Sequence, residues 1–301
     1  MTSRARVLAV VGCVLVVAAA VSNAGGNATG YDAEFALWGA RLASASYCAN
    51  PDRLAAWDCE SCHTIPGVKV VTVFERLGCG AYGFIAVQGN WTILSFRGTS
   101  WDDFGSAWDD LLFDHVRWPQ KLDAHSRVNR GFLRYYNCVD EPIRRVLSGL
   151  ATSYPSNNLA IVGHSLGASV ALIASVALLD IFPSPVVYTY GTPRTGNYAF
   201  SVLHRRLVPN SWRVVHDCDM VPHLAPCGSF MDSRCSRLNF FPFHTSQEVF
   251  YDQRSMHDIH AYTVCDPLDG EDDTCSNRLR FPDSIFQHRH YFAFDLTRQC
   301  K

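Results

Sequence analysis

The chain reads as a single α/β domain with a central, mostly parallel sheet flanked by helices. Three observations predict this. Short apolar runs at residues 159–162, 186–190 and 212–216 alternate with stretches of helical spacing, the pattern of buried parallel strands joined by crossover helices. Gly163-His164-Ser165-Leu166-Gly167 lies between the first run and an Ala-, Leu- and Val-rich stretch at 168–182, so it marks a sharp strand-to-helix turn. The 301 residues suit one large domain, with no Pro/Gly/Ser linker, repeat or low-complexity tract to divide them.

In chain order, Arg4 and Arg6 precede an apolar run at 7–21 and the small residues Ser22-Asn23-Ala24. That is the form of a secretory signal peptide over 1–24, cleaved near Ala24 to leave a domain over 25–301. The run is shorter than the roughly 20 residues that span a bilayer, and no later stretch qualifies. The sequence therefore predicts a secreted, extracellular protein with no transmembrane segment. Residues 31–47 carry helical spacing. Residues 68–76, 83–87 and 91–96 read as strands, the last two joined in a hairpin through Gln88-Gly89-Asn90. A helix is expected over 141–154, with Pro142 tolerated in its first turn. The run at 248–251 should pair near a sheet edge.

Twelve cysteines are many for a cytosolic enzyme. Cys13 leaves with the signal, and the rest fit an oxidising compartment. Asn27-Ala28-Thr29 and Asn90-Trp91-Thr92 are glycosylation sequons. The formal net charge is −2 without a basic patch, so nucleic acid is not an expected partner.

G-x-S-x-G in a strand–turn–helix setting is the nucleophile-elbow pattern. The turn lifts the serine oxygen clear of the sheet, and the Leu166 N–H, at a helix N-terminus, can donate to an oxyanion. Serine needs a histidine base, and the histidine needs an acid to orient it. In α/β-hydrolases the chain order is Ser, acid, His. Asp219 and Asp217 both follow the strand at 212–216. His288 and His290 are the late histidines, with His257 and His260 weaker. Thr99, at the end of Ser95-Phe96-Arg97-Gly98-Thr99, can supply a second oxyanion donor.

Ser95-Phe96-Arg97-Gly98-Thr99, Gly131-Phe132, the elbow, Tyr190-Gly191-Thr192-Pro193-Arg194-Thr195-Gly196, Asp219-Met220-Val221-Pro222-His223-Leu224 and His288 with Tyr291-Phe292 resemble the fungal-type (class 3) triacylglycerol lipase family. The order and approximate spacing hold from about residue 31 to the C-terminus. The resemblance implies an α/β-hydrolase fold and selects Asp219 over Asp217 and His288 over His290. It also implies Thr99 as an oxyanion donor beside Leu166, and a short helical lid after Thr99. Trp101, Phe104, Trp108, Leu111 and Leu112 recur there at helical spacing among aspartates. Two departures stand out: Ala168 replaces a glycine common in the family, and the segment between Thr99 and Asp110 is slightly longer than in fungal members.

The resemblance further implies disulfides Cys48–Cys300, Cys59–Cys62 and Cys265–Cys275. Cys227 and Cys235 are close enough to pair, while Cys79, Cys138 and Cys218 remain unassigned. Cys59-Glu60-Ser61-Cys62-His63 also matches the c-type haem motif, and Asp269-Gly270-Glu271-Asp272-Asp273 has carboxylates enough for calcium without the EF-hand spacing. A disulfide and a solvated loop are the expectations, with no metal and no cofactor. The expected activity is hydrolysis of lipid esters at a lipid–water interface, first of triacylglycerol. The alternatives are a phospholipase A1, a mono- or diacylglycerol lipase, a feruloyl-type esterase, or a non-catalytic lipid-binding protein on the same fold. Oligomeric state is not legible.

Overall fold

The computed structural model describes residues 30–99, 114–119, 122–228, 235–245, 247–252, 257–279 and 282–300. The signal segment over 1–24, the Asn27 sequon and the lid residues Trp101, Phe104, Trp108 and Leu111 lie outside the described residues. No described helix is long and apolar enough to cross a membrane.

Eight strands form the main sheet: β1 (Lys69–Arg76), β2 (Ala81–Gln88), β3 (Trp91–Phe96), β4 (Asn158–His164), β5 (Val186–Tyr190), β6 (Ser211–His216), β7 (Glu248–Tyr251) and β8 (Thr263–Val264). Their order in the sheet follows the chain. β1, β2 and β3 run antiparallel. β3 to β7 are parallel, and β8 closes the far edge antiparallel. The strand at 248–251 is thus one in from the edge. The β2–β3 hairpin turns at Gly89, with φ +53°, and exposes Asn90 at its tip.

Both faces of the sheet are covered, so the central strands are apolar on both sides. On one face, Phe84, Val162, Tyr188 and Tyr190 pack with Ala36, Ala40 and Ala43 of helix α1 (Ala33–Ala45). On the other, Ile85, Ile161 and Val187 pack against α3 (Arg130–Ser153) and α4 (Leu166–Ala177). Successive strand residues therefore feed opposite cores, the period-2 rule at work. The short helix α2 is Pro51–Ala55.

α3 corrects the sequence reading. It starts at Arg130, not 141, and Pro142 lies in its interior. Asn129 caps it by accepting from the Gly131 and Phe132 N–H groups. A continuous stripe of Phe132, Tyr135, Tyr136, Val139, Ile143, Leu147 and Leu150 is buried. That burial carries the helix past the hydrogen bond proline cannot make. Two further helices, α5 (Tyr198–Leu207) and α6 (Ile285–Arg289), were not foreseen. Nor was a small sheet built from His115–Arg117, Arg127–Asn129, Gly196–Asn197 and Pro242–Phe243. Strands of two or three residues carry no periodicity to read.

Five disulfides join described cysteines: Cys48–Cys300, Cys59–Cys62, Cys79–Cys138, Cys227–Cys235 and Cys265–Cys275. The first ties the end of α1 to the C-terminus, and the third fastens α3 to the loop after β1.

Candidate active site

β4 ends at His164 and α4 begins at Leu166, so Ser165 alone makes the turn, at φ +59° and ψ −130°. Such backbone costs about 1–3 kcal/mol and persists only where its surroundings enforce it. Here the Ser165 N–H donates to the Tyr190 carbonyl at 2.9 Å, and the Ser165 carbonyl accepts from Ala168 N–H at 3.0 Å. The flanking glycines are required by space. A Cβ on Gly163 would lie 2.3 Å from the Gly167 carbonyl oxygen, and one on Gly167 would lie 2.4 Å from that of Phe96. Ser165 Oγ is buried and has no hydrogen-bond partner among the described residues.

Ser165, His288 and Thr99 line one narrow cleft, together with Tyr47, Arg289 and Thr297. His288 sits on α6, whose cap Ser284 accepts from the Gln287 N–H. His288 Nδ1 is 3.0 Å from each carboxylate oxygen of Asp219. Asp219 is fully buried just after β6. It accepts the Val221 N–H at 2.9 Å on Oδ1 and the Tyr291 hydroxyl at 2.6 Å on Oδ2. Burial alone would raise its carboxyl pKa. The His288 charge and the hydrogen bonds from His288, Tyr291 and Val221 outweigh that and hold it below the ordinary value. Gly191 backs the pair. Its φ is +55°, and a Cβ there would lie 2.7 Å from Asp219 Oδ2 and 2.8 Å from His288 Nδ1.

The rival residues point elsewhere. Asp217 accepts from Gln287 Nε2 at 3.0 Å, and burial raises its carboxyl pKa. His290 donates from Nδ1 to the Phe286 carbonyl and stacks on the Phe286 ring. His257 and His260 are exposed, the latter 3.7 Å from Glu34. Thr99 is half-buried, and its hydroxyl has no partner among the described residues. Its loop rests on the elbow: a Cβ on Gly98 would lie 2.9 Å from Ser165 Cβ. Leu166 is the first residue of α4, so its N–H lies at the helix N-terminus beside Ser165.

Two roles do not show in the motifs. Tyr291 lies within one, yet nothing in the motif marks its contact to Asp219. His164 filled a variable position of the elbow, yet it donates from Nε2 to the His288 carbonyl at 2.8 Å and meets the Tyr47 hydroxyl at Nδ1, 2.7 Å away. No sequence signal marks that pairing, because Tyr47 is 117 residues distant.

The decoy motifs are occupied structurally. Cys59 and Cys62 share a disulfide, which leaves neither sulfur for a thioether, and His63 is exposed against Asp58 at 3.0 Å. In the acidic loop, Glu271 pairs with buried Arg194 at 2.8 Å. Asp272 accepts from the Asp266 and Thr274 N–H groups, and Asp273 from Asn277. Two described clusters have metal-ligand spacing, Cys227/Cys235/Glu271 and Glu248/Cys265/Cys275. Their sulfurs are in disulfides and their carboxylates are ion-paired to Arg194 and Arg213.

A serine in a strained strand-to-helix turn, an Asp–His pair across a shared cleft, and a mostly parallel sheet beneath them define an α/β-hydrolase with a Ser-His-Asp constellation. Residues 93–229 match the family model "Lipase (class 3)". The chain is 31% identical over 195 residues to a lipase of Rhizopus niveus, covering 62% of this chain and 49% of that protein. It thus spans about half the length of that relative. It is 28% identical over 265 residues to secreted mono- and diacylglycerol lipase 1 of Fusarium solani, covering 83% and 73% of the two chains. The solved Rhizomucor miehei triacylglyceride lipase superposes with a TM-score of 0.74 at 26% identity, over 88% of this chain and 95% of that one. Over these stretches the chain is similar to the class 3 lipase family.

Proposed function

We propose that this protein is a secreted carboxylic ester hydrolase acting on lipid esters, triacylglycerol first, by a Ser-His-Asp acyl-enzyme mechanism. One observation carries the reading: the strained, buried Ser165 shares a cleft with His288, whose Nδ1 is held by Asp219. His288 takes the Ser165 proton as Oγ attacks the ester carbonyl. Asp219 fixes the His288 tautomer and stabilises the imidazolium that forms. The Leu166 and Thr99 backbone amides hold the tetrahedral oxyanion, and His288 then protonates the leaving alcohol. A water activated by His288 hydrolyses the acyl-enzyme. Losing an oxyanion donor should cost about 10²–10³ in turnover. No step requires a cofactor.

Export is supported by the basic, apolar and small-residue order of the first 24 positions and by the density of disulfides. A lid over Trp101, Phe104, Trp108 and Leu111 rests on apolar spacing next to Thr99. It predicts a rise in rate when ester passes from monomers to an emulsion. A rate curve with no break at the solubility limit would remove the lid from the account.

The Fusarium relative favours one second reading, action on mono- and diacylglycerol. Initial rates on emulsified tri-, di- and monoacylglycerol, with phosphatidylcholine alongside, separate the readings. The triacylglycerol reading expects the highest kcat/KM on triacylglycerol. A preference of tenfold or more for the partial glycerides would replace it with the second.

A further inference from the structure

We infer that Tyr47 and His164 are positioning residues that lock together the three segments carrying the oxyanion donor, the nucleophile and the base. The inference rests on the ester-hydrolase reading and adds a device to its site. The Gly98 backbone packs against the Tyr47 hydroxyl: a Cβ on Gly98 would lie 2.3 Å from its oxygen. The Tyr47 hydroxyl lies 2.7 Å from His164 Nδ1, and His164 Nε2 lies 2.8 Å from the His288 carbonyl oxygen. A carbonyl only accepts, so Nε2 carries the proton. Burial, with the charge of His288, lowers the His164 pKa to about 3, so the ring is neutral and Nδ1 is an acceptor. Tyr47 must therefore donate to it. Burial also pushes the Tyr47 phenol well above its ordinary pKa and keeps its proton on.

Both hydrogen bonds in this chain run the same way: Tyr47 O–H to His164, His164 N–H to the His288 carbonyl. Aligned donors polarise one another in a dry site. Each member belongs to a different segment. Gly98 precedes Thr99, His164 precedes Ser165, and the last acceptor is the backbone of the base itself. The His164 and His288 rings also pack against each other, tilted by 30° with centroids 4.5 Å apart. Tyr47 comes from just beyond α1 and is followed by Cys48, which is bonded to Cys300. The N- and C-terminal ends are thereby stapled where the chain of hydrogen bonds begins. Neither hydrogen bond reaches the reacting atoms; with the Gly98 contact they set where Thr99, Ser165 and His288 stand.

The test uses the full-length secreted protein and a soluble short-chain nitrophenyl ester. Tyr47→Phe deletes one oxygen and should lower kcat about 10- to 100-fold with KM nearly unchanged, as expected when reacting groups lose their alignment. His164→Phe should cost a similar factor, and the double variant no more than the larger single loss, because both cut one chain. His164→Gln, which keeps a donor toward the His288 carbonyl, should recover part of the loss. A wild-type kcat in Tyr47→Phe, or single losses that multiply in the double variant, would overturn the inference. Should the variants fail to fold, ¹⁵N NMR of the wild-type histidines decides. The inference requires neutral His164 with the proton on Nε2 down to about pH 4, and an Nδ1–H tautomer overturns it. Wild-type protein that neither turns over ester nor reacts with an organophosphate would instead sink the hydrolase reading, leaving the tautomer result to stand by itself.

Discussion

Asp219 holds its charge in a fully buried position because its oxygens accept from His288, Tyr291 and Val221. A carboxyl with a depressed folded-state pKa stabilises the fold above the ordinary carboxyl pKa. That contribution is lost as pH falls through the folded value. Removing a donor to the charged form must raise the Asp219 pKa. Tyr291→Phe should therefore shift the acid limb of the kcat/KM profile to higher pH and cost about 1.5–3 kcal/mol at neutral pH. A pH–rate profile and urea melts check this, and an unmoved acid limb would remove Tyr291 from the site. Gly191→Ala should be worse for activity, since its Cβ would press on Asp219 Oδ2 and His288 Nδ1 from 2.7 and 2.8 Å. Misplacement of that kind can cost on the order of 10² in kcat, read as turnover in a variant with native circular dichroism. At this scale Ser165 was legible, because its turn is written into local sequence. The choice of Asp219 over Asp217 was not legible from spacing. The two are separated by one residue, and the positive φ of Asp217, +44°, sends their side chains to Gln287 and His288 respectively. Only the family resemblance distinguished them beforehand.

The central strands and the N-terminal helix were readable as elements because burial on both sheet faces leaves long apolar runs. The reading failed where tertiary context overrides a local signal. Pro142 is a helix breaker in sequence, yet the α3 stripe from Phe132 to Leu150 extends through it. The small sheet exists only because Val128 pairs with Gly196, and Gly196 with Phe243, across long sequence gaps. α3 depends on its cap. Asn129 accepts two N–H groups, so Asn129→Ala should lower the free energy of unfolding by about 1 kcal/mol. The denaturation midpoint should fall with no change in slope. An unchanged midpoint would show that packing alone sets the helix start.

Across the whole molecule, buried neutral histidines set the acid limit of the fold. Burial lowers the pKa of His204, and burial together with neighbouring charge lowers those of His164 and His223, each from 6.5 to about 3. Between those values the unfolded chain binds protons that the folded chain refuses. Stability therefore rises with pH across that window and is lost as pH falls below about 6.5. Each such group contributes up to about 1.4 kcal/mol per pH unit. The melting temperature should decline steadily from pH 6.5 toward pH 4, and His204→Gln should flatten the slope by up to one proton. A melting temperature independent of pH over that range would contradict the buried, neutral state. The account as a whole turns on Ser165 as the nucleophile, and one measurement reaches it most directly: mass-spectrometric quantification of organophosphate labelling. The account predicts one adduct per chain, on Ser165, with parallel loss of esterase activity and no adduct in Ser165→Ala. Labelling at another residue, or full activity in Ser165→Ala, would contradict it.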